Sequence, residues 1–269
     1  MDDLTRLFIQ NQRIINNKNN NLKLTNNEAR YINKVMRIKI GKEIFITNGQ
    51  GSLWKAINLG DNFIKINNIN NPYLFQEKEK ILLGIAVVIP KNGFEDILKM
   101  CTEIGIDFIQ PLYSDRQVKK YTNFSNKLIR WNSIVNEAVE QCERLWRPSI
   151  LSDINLFDWI NSIENKDIIS VSVTRDVSSD NLNHWLKKKQ NLLDTKSRVF
   201  WNVIGPEGGW SKNEIELFIK NKISFVKLSE TILRTSTATI NATSILNQWR
   251  NDFKSVSYTH LTLPTNREV

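Results

Sequence analysis

From residue 80 onward the apolar residues of this chain arrive in unbroken runs rather than in alternation, and that pattern admits few folds. Ile81 to Ile89, Asp107 to Tyr113, Ile168 to Thr174, Val199 to Ile204 and Ser224 to Leu228 are short enough to be strands. They are predominantly apolar, as strands of a parallel sheet are when helices cover both faces. Between them the period changes. Phe94, Ile97, Leu98, Cys101 and Ile104 line one helix face, and Leu128, Trp131, Val135, Ala138, Cys142 and Leu145 a longer one. A last helix is expected from about Ala238 to near Lys254, with Ala242, Ile245, Leu246, Trp249 and Phe253 on its apolar stripe. The expected class is α/β.

The first quarter reads differently. Arg6 to Ile9, Glu43 to Thr47, Ser52 to Asn58 and Asn62 to Ile69 alternate in short pieces, with Gly49-Gln50-Gly51 and Gly60-Asp61-Asn62 supplying turns. One helix interrupts them, opened by a Thr25–Glu28 capping box and followed by Ala29, Ile32, Val35 and Met36 at helical spacing. A small β-barrel with one helix is expected, bounded at Asn70-Asn71-Pro72. The domains are therefore expected at 1–73 and 74–254. Residues 255–269 lose the period and contain Pro264, as an unstructured or foreign tail would.

Of 269 residues, 41% are hydrophobic and 24% charged, which excludes wholesale disorder. Net charge is +9, and residues 1–73 carry +6 of it, from eleven Lys and Arg against five Asp and Glu. Polyanions are the natural partners, although a lysine- and asparagine-rich solvated face would read the same way. The chain lacks a run of eighteen apolar residues, and Met1-Asp2-Asp3-Leu4 lacks a basic start, so a soluble protein of the cytoplasm is expected, with no membrane partner. Cys101, Cys142, His184 and His260 are too few and too scattered for a metal site or a disulfide framework. Both cysteines fall on apolar faces, where core packing is expected of them. Neither G-x-G-x-x-G after a strand nor a P-loop occurs. A Ser-His-Asp hydrolase would have to use a histidine from a basic helix or from the tail.

Two turns could hold a ligand. Gly205-Pro206-Glu207-Gly208-Gly209-Trp210-Ser211 leaves the strand ending at Ile204 and enters a helix through a Ser211–Glu214 capping box. Its glycines remove the Cβ atoms that keep a ligand from the backbone, and the carboxyl ends of strands are where open α/β sheets bind ligands. A tight connection needing positive φ explains the same glycines. The second turn, Leu228 to Thr237, places Arg234 among five hydroxyls and opens the last helix, where Ser236 or Thr237 is expected as N-cap.

Together these segments resemble the bacterial 16S rRNA uridine N3-methyltransferase family, a branch of the SPOUT methyltransferases. The resemblance spans the chain to about residue 253. It is carried most specifically by Ile204 to Ser211 and Ile232 to Ala238, with support from Thr102 to Ile106, Ser114-Asp115-Arg116 and Glu137 to Arg144. It implies a PUA-like N-terminal RNA-binding β-barrel domain, a C-terminal parallel-sheet domain with a deep trefoil knot, S-adenosylmethionine as cofactor and a homodimer acting on 16S rRNA of the small ribosomal subunit. Carried over, cofactor contacts fall on Ile204, Gly205, Gly208 and Gly209 of one loop and on Leu228, Ser229, Ile232, Leu233, Thr235 and Thr237 of the other. Arg234 is the candidate stabiliser of charge on the uracil. Glu207 is either a proton acceptor or a turn residue, with the turn role favoured. RNA contacts are expected at Arg6, Arg13, Arg30, Lys34 and Arg37, with Arg116 and Lys119 as additions. The chain departs from the family pattern at Met100, Ser229, Thr231 and Ser236, and the backbone at Ser229 matters most because the family often has Gly there. A SPOUT enzyme with another target position and a noncatalytic ribosome-assembly factor are the alternative readings.

Overall fold

The structure, a computed structural model, describes residues 5–17, 19–117, 124–163, 168–174, 179–190 and 198–259, with side chains to residue 253. The chain divides into two compact units, Met1–Glu79 with Ile129–Arg147, and Lys80–Leu128 with Pro148–Val269.

In the first unit β1 (Arg6–Phe8), β2 (Asn21–Lys23), β3 (Glu43–Thr47), β4 (Ser52–Gly60) and β5 (Phe63–Ile66) form one sheet in the order β1-β3-β4-β5-β2, and β6 (Leu74–Phe75) adds to β4. Only β1 and β3 run parallel among these pairs. Alternation sends Leu22, Ile44, Ile46, Trp54, Ala56, Ile64 and Ile66 to one face, where they pack with Ala29 and Ile32. The Thr25–Glu28 capping box is present and opens α2 (Asn26–Arg30), which continues as a π-helical turn over Tyr31–Val35. A second helix, α1 (Asn11–Ile15), was not expected, since five residues are too few to show a period.

Residues 129–147 complete this unit through charges the sequence could not pair. The guanidinium of Arg6, a residue only 9% exposed, donates to the backbone oxygen of Glu143 and to its carboxylate, both at 2.7 Å. The Phe8 N–H donates to Glu140 Oε1 at 2.7 Å. Burial pushes the Glu140 carboxyl up to about 7 from an ordinary 4.5; the Phe8 N–H opposes the shift, and Glu137 and Glu28 add to it. Between those two values the folded chain holds a proton the unfolded chain has released, so stability falls as pH rises through this window and stays low above it. Glu140→Gln keeps an acceptor without the charge. It is expected to raise stability above pH 7 by at most about 3 kcal/mol and to flatten the profile below it, as read by urea denaturation across the window.

The second unit carries the expected parallel sheet. Its strands are β7 (Ile81–Val88), β8 (Phe108–Tyr113), β9 (Ser149–Ile150), β10 (Ile154–Asn155), β11 (Ile168–Ser172), β12 (Asp180–Asn181), β13 (Arg198–Ile204) and β14 (Ser224–Lys227). The order is β10-β8-β7-β13-β11-β14-β12, with β9 beside β8 and every pairing parallel. All strand carboxyl ends therefore open on one edge. The helices are α3 (Phe94–Ile104), α4 (Phe124–Gln141), α5 (Leu156–Ser162), α6 (Leu182–Lys188), α7 (Lys212–Lys220) and α8 (Thr235–Thr259), of which α4 begins in this unit and ends in the other. Leu83, Ile85, Ala86, Val87 and Val88 are fully buried, which is why β7 reads as an uninterrupted apolar run.

Two expectations about α8 need correction. It begins at Thr235, with the Ala238 N–H donating to the Arg234 oxygen at 2.8 Å, so Ser236 and Thr237 lie inside the first turn rather than capping it. It continues to Thr259, past the expected end near Lys254. Lys18, Lys119, His260 and the remainder of the 255–269 segment lie outside the described residues. Cys101 is buried with its Sγ 3.3 Å from Thr243 Oγ1, and burial pushes the thiol up to about 12, which suits packing and leaves no thiolate. Cys142 is half-buried.

Candidate active site

Two loops leave the same sheet edge. Residues 205–211 follow β13 and residues 228–234 follow β14, and β11 lies between those strands. Thr235 joins them: its Oγ1 donates to the Gly205 oxygen at 3.2 Å, and the residue is buried. The Leu228 end is tied back to α8 by Asn241 Nδ2, which donates to the Leu228 oxygen at 3.0 Å. Ser229 and Thr231, both departures from the family pattern, meet at 3.0 Å between hydroxyls, and the Thr231 N–H donates to Ser229 Oγ at 3.1 Å. A Ser side chain thus holds this turn through hydrogen bonds.

Trp210 fixes the first loop from the other side. Its Nε1 donates to the Ser172 oxygen at the end of β11, 3.0 Å away, and its ring lies over Gly205, where a Cβ would fall 2.9 Å from it. The ring also meets Phe218 edge-on at 5.0 Å. Gly205 is therefore required by close approach, between an indole and a hydroxyl. Gly209 adopts φ 67 with open space beside it, a conformation in which other L residues are strained.

A third segment, Ser114-Asp115-Arg116, which the sequence marked only as support for the resemblance and for an RNA contact, reaches this loop. The Ser211–Glu214 capping box is present, but Glu214, fully buried, also accepts from the Asp115 N–H at 3.0 Å, while Ser211 Oγ donates to Asp115 Oδ2 at 2.6 Å. Arg116 Nη1 donates to the Gly208 oxygen at 3.3 Å. Glu207 Oε1 accepts from the Lys91 N–H at 3.2 Å, so the loops after β7, β8 and β13 are joined. Asp115 is separated from Ser211 and Glu214 by nearly a hundred residues of sequence, and the cap motif alone gave no sign of this third member.

Of the sequence-derived residues, Ile204, Gly205 and Thr235 are brought together at the loop junction; Gly208, Gly209, Glu207, Ile232 and Arg234 lie exposed on the same pair of loops, and Leu233 is half-buried. Arg30 on α2, Lys34 on the π-helical turn and Arg37 just after it are exposed. Arg13 is half-buried, pairing with Glu28 and donating to the Lys23 oxygen at 2.7 Å. Arg6 is inside, held by Glu143. Among the described residues no group of three or more His, Cys, Asp or Glu could hold a metal ion, and no helix is long and apolar enough to cross a membrane.

Residues 77–247 match the RNA methyltransferase domain family, and residues 24–57 match the RNA methyltransferase PUA domain. The chain belongs to the RNA methyltransferase family. Among the relatives of this methyltransferase, the ribosomal RNA small subunit methyltransferase E of Synechocystis sp. is 31% identical over 225 residues, which cover 83% of this chain and 72% of that protein. The protein of the same description from Buchnera aphidicola subsp. Acyrthosiphon pisum is 29% identical and covers 86% and 89% respectively. Two solved structures share the fold. The methyltransferase E of Neisseria gonorrhoeae bound to S-adenosyl methionine aligns with TM-score 0.74 and 20% identity over 91% of this chain and 97% of its own. A Legionella pneumophila putative methyltransferase in complex with the same cofactor aligns with TM-score 0.77 and 21% identity over the same shares.

Proposed function

We propose that this protein transfers a methyl group from S-adenosylmethionine to N3 of a uridine in 16S rRNA of the small ribosomal subunit, acting in the cytoplasm as a homodimer whose C-terminal domain carries a trefoil knot. The observation that carries the reading is the Thr235–Gly205 hydrogen bond, which ties two separate loops together at one edge of the sheet. The joined loops suit the cofactor: exposed Gly208 and Gly209 present main chain without side chains, and Ile232, 64% exposed, offers apolar surface to an adenine ring. Ile204, Gly205, Gly208 and Gly209 would hold it from one side, and Leu228, Ser229, Ile232, Leu233, Thr235 and Thr237 from the other. Bound there, the cofactor supplies an electrophilic methyl on a sulfonium.

The chain's own task is to hold the uracil in line and to favour its deprotonated form. N3 carries a proton, and its loss spreads negative charge over the two flanking oxygens. Arg234, permanently charged and next to the loop junction, is assigned to that charge. Glu207 is given the turn role, supported by its bond to the Lys91 N–H. RNA docking is assigned to the 1–73 domain and transfer to 74–254. Phosphates would meet Arg30, Lys34 and Arg37, helped by Arg13 and by Arg116 beside Gly208, while Arg6 is spent on Glu143 and leaves the set.

The test is methyl transfer to assembled small-subunit particles and to naked 16S rRNA, followed by nucleoside analysis. N3-methyluridine is expected. A methyl on ribose oxygen or another base position would replace this reading with a related SPOUT activity. Calorimetry without S-adenosylmethionine binding would favour a noncatalytic assembly factor.

A further inference from the structure

The first unit buries one face of its sheet and leaves part of the other bare. Along β4 and β5 the inward residues Trp54, Ala56, Ile64 and Ile66 enter the core. The outward row is Lys55, Ile57 and Leu59 on β4, Phe63 and Lys65 on β5, and Lys23 on β2. Pairing sets them side by side: Ile57 faces Lys65, and Phe63 faces Lys23. Farther along the same face Phe45 and Leu53 are buried together with Leu145, so cover from residues 129–147 extends only part of the way. Beyond it Phe63 stays 38% exposed and Leu59 40%. Tyr73, 58% exposed, is held over this row by the Lys55 ammonium, 4.8 Å from its ring centre, and by the Phe45 ring at 5.4 Å.

An aromatic side chain left on a sheet face between lysines loses hydrophobic stabilisation unless something covers it. Charge narrows what that something is. Three lysines stand on the patch, with Glu43 beside Ile57 and Asp61 in the β4–β5 turn only at its edges. Lysines within reach of ring faces match a ligand with phosphates along its length and flat apolar groups between them. A duplex conceals the faces of its bases, whereas an unpaired strand presents them. From Lys55 to Leu59 the platform runs about 14 Å along β4, four residues at ~3.4 Å each.

We propose that this bare β4–β5–β2 face is a second RNA contact, on which an unpaired stretch of RNA stacks a base on Phe63 and lays its phosphates along Lys23, Lys55 and Lys65. It lies apart from the α2 residues assigned above, because α2 packs on the opposite, buried face of the sheet. The inference rests on reading the chain as an RNA methyltransferase and adds to it where unpaired RNA is held.

The experiment uses the full chain, a fluorescein-labelled unstructured RNA oligonucleotide and its duplex, and anisotropy over a range of salt. Phe63→Leu keeps an apolar side chain but no ring; it is expected to weaken single-strand binding by roughly 5- to 150-fold with the salt slope unchanged. Phe63→Trp should restore it. Lys23→Gln with Lys65→Gln should lower the salt slope by about 1.4, two phosphate contacts for a single strand. S-adenosylmethionine affinity by calorimetry should stay constant in all of them, and unchanged circular dichroism marks each variant as folded. If the wild-type chain binds RNA and the Phe63 and lysine variants bind it equally well, the platform is refuted while the methyltransferase reading stands. Tighter binding to duplex, or self-association in sedimentation that depends on Phe63 while RNA binding does not, also refutes it, the latter assigning the face to a second copy. A wild-type chain that binds the cofactor but no RNA refutes the RNA reading itself.

Discussion

Arg234→Ala is expected to lower the single-turnover rate of methyl transfer by about 10²–10³-fold at saturating S-adenosylmethionine and RNA, the loss typical of removing one donor aimed at developing charge. The prediction is specific because little else depends on this side chain. Arg234 is exposed, and what the fold takes from it is its backbone oxygen, which accepts from the Ala238 N–H and starts α8. Alanine keeps that oxygen, and the Thr235–Gly205 bond that joins the loops is untouched. Cofactor affinity and thermal stability should therefore stay near wild type. Arg234→Lys should recover only part of the rate, since an ammonium offers a point charge where the guanidinium offers a fork able to span two oxygens. An unchanged rate in the alanine variant would remove Arg234 from the chemistry and leave the first turn of α8 as the source of positive potential there.

Local motifs were legible where a few neighbouring residues suffice. Both capping boxes, Thr25–Glu28 and Ser211–Glu214, stand where the sequence placed them, since each is closed within four residues. The long strands of the second unit were legible from burial on both faces. The two-residue strands β6, β9, β10 and β12 and the five-residue α1 were not, because no period can be counted in elements so short. Charge was the least readable property. Arg6 counted toward a basic face until residues 129–147 brought Glu143 to it across 137 positions, and nothing in the local sequence of either residue announces that pair. The same distance effect hid the contacts of Asp115 with Ser211 and Glu214. The glycine-rich loop was recognisable as a loop, but the residues that hold it, Trp210 on Ser172 and Glu214 on Asp115, act through long-range contacts.

Arg250 makes the opposite case to Arg234, with a large expected effect on stability and little on chemistry. Its Nη1 donates to Asp107 Oδ2 at 2.6 Å, and its Nη2 to the Gly105 oxygen at 2.8 Å and Asn247 Oδ1 at 3.0 Å. Side-chain exposure is 6% for Arg250 and 10% for Asp107, and the same Asp107 oxygen takes the Leu83 N–H at 2.8 Å. The pair thus ties α8 to the start of β7 and to the turn after α3. Arg250→Met would take from a buried carboxylate the guanidinium that pairs with it, and breaking one side of such a pair costs about 3–5 kcal/mol, measurable by urea denaturation. Arg250→Met with Asp107→Leu should recover much of that loss, leaving about 1–3 kcal/mol for the Leu83 N–H that no longer has an acceptor. A loss under about 1 kcal/mol in the single variant would mean that water reaches the pair in solution. Thr235 lies about 22 Å up the same helix, at 1.5 Å per residue, so variants that remain folded should transfer methyl groups at the wild-type rate. Stability lost without rate at Arg250, and rate lost without stability at Arg234, would show that one helix serves the fold near one end and the reaction at the other.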